Sequence, residues 1–307
     1  LLYPWGFPVL LSLVYKIFGF NIIAMKIYVF LFFLGSLFVL YFLFEDRLSE
    51  GYRLLIVSMF ALNPVFFYFK ENVLSDVPFL FFTLLGMLLI RHFIIEKRFL
   101  INEGISFFLL GFVVFYAYFI RPQGVVLFLI LLICHFKEFI DLLNNKQLTF
   151  LREKCMQLIP YLTLVICLTL SKNLFYENFT YFVDVFLNQN IVDTVKNNIV
   201  FYSVLPSEFF GSKFVFKLFY AVTVPFALYG FIVNFKKDYF FALFVIFSLS
   251  ILLVFPYTTQ GIRYIIFLLP FYVYYFVKGF IEFKNIRLQI PFKNVCVGTM
   301  YLLMAVL

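Results

Sequence analysis

Asp76, Arg121 and Arg263 are ionisable residues set at the ends of strongly apolar runs, a combination that could hold and act on a phosphorylated group. In "YFKENVLSDVPFLFF", Lys70 and Glu71 precede Asp76, which stands directly before Val77 and Pro78 at the head of a hydrophobic segment. Aspartate there can cap a helix and complement the positive end of its dipole, and a proline suits the first turn. The same residue can act on a hydroxyl, bind a divalent metal or orient a substrate. Acidic groups at membrane depth are costly enough to point to function. The two readings are compatible.

Arg121, in "FIRPQGVV", joins two apolar segments through a connection of a few residues, so its guanidinium stays close to the membrane face. Arginine suits bidentate recognition of phosphate, and the plainer alternative is a side chain that snorkels to lipid headgroups. In "FPYTTQGIRYIIFLLPFYVYYF", Gln260, Arg263 and Tyr264 crowd into one turn before another apolar run. An arginine inside a span costs about 2.5 to 3.5 kcal/mol on insertion scales, so Arg263 belongs at a span end with an anionic partner, protein or ligand.

These residues need a membrane scaffold to position them. The chain of 307 residues is 64% hydrophobic and 13% charged, outside the range of a soluble domain. Hydropathy and punctuation place spans near 21–44, 53–69, 77–95, 105–120, 123–139, 157–172, 214–234, 239–256 and 262–279, with a truncated one from about 291. The fold class is all-α, a polytopic transmembrane helical bundle of about ten spans.

Fifteen of the 24 basic residues fall in alternate connections on one side, which the positive-inside rule makes cytoplasmic. The other, external side carries "YPWGFP" (Tyr3 to Pro8), "KENVLSD", "RPQG", a long loop and "YTTQGIRY", so every polar constellation of interest is external. The whole of 1–307 reads as one membrane domain, with an external segment over 1–20 and an external loop over 173–213. That loop, with scattered Asp184, Asp193 and Glu208, is expected to form short helices on the external face.

Other chemistries find little support. The basic residues are scattered and form no stripe or arm for nucleic acid. The four cysteines lack zinc spacing, and His92 and His135 lie near cytoplasmic span ends without a second ligand, so no metal site is assigned from them. The 51 phenylalanines and 21 tyrosines make aromatic stripes uninformative as motifs.

The order of motifs resembles the integral-membrane glycosyltransferases of the GT-C class, especially bacterial relatives of protein O-mannosyltransferase and of the aminoarabinose transferase acting on lipid A. "YPWGFPVLLSLVYKIFGFN" is similar to that family's tyrosine-proline-proline-glycine-tyrosine-proline lead into an apolar helix, with Trp5 and Phe7 as replacements. "NVLSDVPFLFF" matches at Asp76, "RPQG" at Arg121, Pro122 and Gly124, and "QGIRYIIFLLP" at Gly261, Arg263, Tyr264 and Pro270.

The resemblance implies a GT-C-like fold and inverting transfer of a sugar from a polyprenyl-phosphate donor to a lipid, protein or glycan acceptor on the external face. It implies Asp76 as a catalytic carboxylate that positions the acceptor or a metal, with a divalent metal ion as a candidate cofactor. The principal acidic residue of the family is expected upstream of Leu1. Tyr3, Lys70, Glu71, Arg121, Gln260, Arg263 and Tyr264 are the candidate substrate-binding residues. The expected setting is multi-pass, among membrane lipids, in a bacterial or archaeal plasma membrane in preference to the endoplasmic reticulum. Rival readings are a transporter or flippase of lipid-linked glycans, for which no inverted repeat is visible, and a structural membrane subunit.

Overall fold

The computed structural model describes residues 4–144, 156–174, 190–211, 214–255 and 261–285. The described residues are helical throughout: α1 (Gly6–Phe18), α2 (Ile22–Leu43), α3 (Glu50–Ala61), α4 (Pro64–Glu71), α5 (Asp76–Leu89), α6 (Glu103–Ile120), α7 (Val125–Asn144), α8 (Ile159–Leu174), α9 (Ile191–Val204), α10 (Phe214–Asn234), α11 (Tyr239–Val254) and α12 (Leu269–Asn285). A π-helical turn, Ile90–Ile95, prolongs α5, and short 3-10 turns span Pro122–Gly124, Leu205–Phe209 and Gly261–Tyr264.

Helix starts are set by asparagines. Asn21, Asn63, Asn102 and Asn190 each accept a hydrogen bond from a backbone N–H two or three positions on, satisfying a donor that the first turn leaves unpaired.

Among the described residues, four helical stretches are long and apolar enough to cross a membrane: Ile22–Leu43, Asp76–Ile95, Glu103–Ile120 and Phe216–Asn234. The α5 stretch is the central one, with 72% of its most apolar window buried against 22% for α2 and for α10. Ile23 and Phe38 of α2 and Leu228 and Ile232 of α10 leave apolar surface on the outside, as lipid contact requires. The tightest helix pair is α10 with α12. A Cβ on Gly230 would lie 2.1 Å from the Tyr275 carbonyl oxygen, and one on Gly279 would lie 1.8 Å from that of Phe226, so only glycine permits this approach.

Two expected spans are corrected. The segment 53–69 is not one helix: α3 stops at Ala61, and Pro64, which lacks an N–H and holds the preceding residue out of the helical region, starts α4. The segment 262–279 begins with a 3-10 turn, and regular helix starts only at Leu269, with Pro270 in its first turn. The truncated span from about 291 lies outside the described residues.

Candidate anion-binding site

Asp76 opens α5, Arg121 closes α6, and Arg263 sits on the 3-10 turn ahead of α12. Pro122 explains the exposure of the second. A residue before proline avoids helical ψ, so Arg121 turns extended at φ −148° and ψ 136°, and its side chain leaves the helix end.

The fold brings all three together on one carboxylate. Arg121 Nη2 donates to Asp76 Oδ1 at 2.7 Å, and Arg263 donates to Asp76 Oδ2 from Nε at 3.1 Å and from Nη2 at 2.8 Å. Arg121 Nε also donates to Ser75 Oγ at 3.2 Å. Phe79, one turn along α5, lies under the Arg121 guanidinium at 5.7 Å and packs on Phe267. The Asp76 side chain is fully buried, while those of Arg121 and Arg263 are 11% and 26% exposed.

Two guanidinium groups against one carboxylate leave one formal positive charge. Neither Arg121 Nη1 nor Arg263 Nη1 has a partner among the described residues, and each arginine carries five N–H donors. Burial pulls the Arg121 pKa below the ordinary arginine value; Asp76 pushes it back up, Arg263 lowers it, and Tyr264 raises it. Tyr264 is thus in electrostatic reach of Arg121, and it also acts on Tyr202 of α9, which burial pushes up to about 12. Spare donors beside a net positive charge suit an anion with several oxygens.

Acting directly on an acceptor or a metal would require Asp76 to release an arginine. Both of its oxygens already accept from cations, and its side chain is out of reach of solvent. A divalent ion would need those same oxygens while facing two guanidinium groups, and no group of three or more potential metal-ligating side chains occurs among the described residues. Asp76 holds both arginines by ion pairs.

The leading segment packs against the same corner. A Cβ on Gly6 would lie 2.5 Å from backbone atoms of Phe119 and Ile120, and Tyr116 Oη donates to the Gly6 carbonyl at 3.2 Å. Gly6 therefore abuts the helix end that releases Arg121. Tyr3 and Gln260 lie outside the described residues; Lys70 and Glu71 end α4, and their side chains lie outside the described part.

Sequence reading missed the residues that fix the loop helix α9 at this end. Asn198 Nδ2 is within hydrogen-bonding distance of the carbonyls of Leu252, Leu253 and Phe255 at 3.2, 2.9 and 2.7 Å, covering the C-terminal carbonyls of α11. Asn63 Nδ2 donates to the Phe209 carbonyl at 2.6 Å and pins the turn that follows α9. One asparagine among many in the sequence carries no signal of either role.

No protein-family model, no curated protein and no solved structure matches the chain, so the functional reading rests on this geometry and on the motifs.

Proposed function

We propose that the chain is a GT-C-like glycosyltransferase with about ten spans, transferring a sugar from a polyprenyl-phosphate donor to a lipid, protein or glycan acceptor. The reaction takes place at the external face of a bacterial or archaeal plasma membrane. The observation that carries the reading is the pair of guanidinium groups on one buried carboxylate, with donors to spare at the end of an apolar bundle.

In this reading Arg121 and Arg263 grip the donor phosphate while its polyprenyl tail lies along the apolar outer faces. When the acceptor oxygen bonds to the anomeric carbon, the proton of the acceptor hydroxyl is released to water and the electron pair of the broken carbon–oxygen bond stays on the phosphate. That group passes from one negative charge towards two, and a fixed net positive charge lowers the cost of the change. Asp76 serves by holding both guanidinium groups in place before the donor arrives.

The test is transfer of radiolabelled sugar from a polyprenyl-phosphate donor in membranes bearing the full-length protein. Arg263→Ala is expected to lower transfer at limiting donor by at least tenfold, about 1.4 kcal/mol. Unchanged turnover would remove the phosphate role.

A further inference from the structure

Glu208 stands on the 3-10 turn Leu205–Phe209, and its position is unusual for a carboxylate on a long connection. Its neighbours Ser207 and Phe209 are both 2% exposed, and the turn is held from two sides. Asn63 bonds the Phe209 carbonyl, and the Phe209 ring packs on Phe60 at 5.1 Å. Phe210 packs on Phe219 at 4.9 Å. Glu208 itself is exposed and has no hydrogen-bond or ion-pair partner among the described residues.

The Glu208 carboxylate lies beside the turn that carries Arg263. A Cβ placed on Gly261 would be 3.8 Å from Glu208 Oε2, and Gly261 is two residues before Arg263. Arg263 nevertheless directs Nε and Nη2 at Asp76 and makes no ion pair with Glu208. A carboxylate on the turn packed beside Gly261, with no partner among the described residues, is open to a ligand. Here the arginine is already committed, so the negative charge remains available next to the anion site.

We propose that Glu208 is the acceptor-side residue of this site, accepting a hydrogen bond from a hydroxyl of the sugar acceptor and orienting it towards the donor held by the arginines. The inference rests on the phosphate reading above. It assigns the acceptor a chemical class: a neutral or cationic molecule presenting a hydroxyl, since an anionic group at that point would meet Glu208 with like charge. A carboxylate suits this role because its oxygens only accept, and it leaves the donor's phosphate to the cations.

The test uses the full-length protein in nanodiscs with two readouts, affinity for undecaprenyl phosphate and transfer from undecaprenyl-phosphate hexose. Glu208→Gln is expected to tighten undecaprenyl phosphate binding about two- to fivefold, because a negative charge beside the anion is gone. Transfer should fall at least tenfold, and Glu208→Asp should recover part of it. A purely structural Glu208 would move neither readout in these directions.

Wild-type affinity and transfer in Glu208→Gln, with binding lost in Arg263→Ala, would overturn the Glu208 assignment and leave the phosphate reading standing. Failure of the wild-type protein to bind undecaprenyl phosphate would overturn both. Unfolding temperatures of each variant identify any loss due to misfolding, and the exposed Asp variant carries the decision if Gln is unstable.

Discussion

Two arginine clusters sit on the same helix, at the start of α5 and at the start of its π-helical prolongation. Asp76 and Arg91 are fifteen residues apart, about 22 Å along a helix. At the Asp76 end, one carboxylate serves two guanidinium groups. At the Arg91 end, one guanidinium serves two carboxylates and two carbonyls. Arg91 Nε pairs with Glu96, Nη2 with Asp46 at 2.8 Å, and Nη1 lies at 3.1 and 2.9 Å from the carbonyls of Phe42 and Leu43, which close α2. The Arg91 side chain is 1% exposed.

The difference is one of saturation. Arg91 spends its donors on the protein itself and covers the carbonyls that the end of α2 leaves unpaired, so it ties helices together. Arg121 and Arg263 keep donors in hand and some exposure. A further ion pair lies near Arg91: Asp238, fully buried at the start of α11, pairs with Arg47 at 2.9 Å and accepts from Tyr274 Oη. Position alone therefore does not separate the two ends of α5; the ratio of donors to acceptors does.

The comparison breaks most sharply at Asp76. Asp76→Asn leaves two guanidinium groups without their counter-charge, and the expected cost is about 4 kcal/mol of stability. Denaturation in detergent measures it, and an unaltered midpoint would show that the arginines have other support. Next in size is Arg91→Met, expected to cost about 3 kcal/mol as two carbonyls and Glu96 lose their donor, with undecaprenyl phosphate affinity unchanged. A parallel fall in affinity would mean that the two ends are coupled through α5.

The smallest effect belongs to Asp46→Asn. Asp46 is 55% exposed and sits at φ 58°, a conformation that asparagine also accepts, so the change should stay within about 1 kcal/mol. A larger loss would place more of the Arg91 cluster's stability in Asp46 than its exposure allows.

Much of the scaffold is legible in the sequence. The apolar runs that become α2, α5, α6 and α10 are visible because a helix crossing hydrocarbon must be long and apolar whatever its neighbours do. Asp76, Arg121 and Arg263 stand out as charges at the ends of such runs, and the prolines after them mark where the backbone must turn. The break at Pro64 and the irregular stretch before Leu269 were harder to read, because apolar composition continues across both.

Local sequence could determine which segments are helical and where isolated charges lie, since propensity, capping and hydropathy act over a few residues. Only the tertiary structure decided that residues 45 and 187 positions from Asp76 would converge on it. It alone set both Asp76 oxygens against guanidinium groups and brought Glu208 beside Gly261. Those outcomes depend on how α5, α6 and the turn before α12 pack, and the partner of a charge is set by that packing.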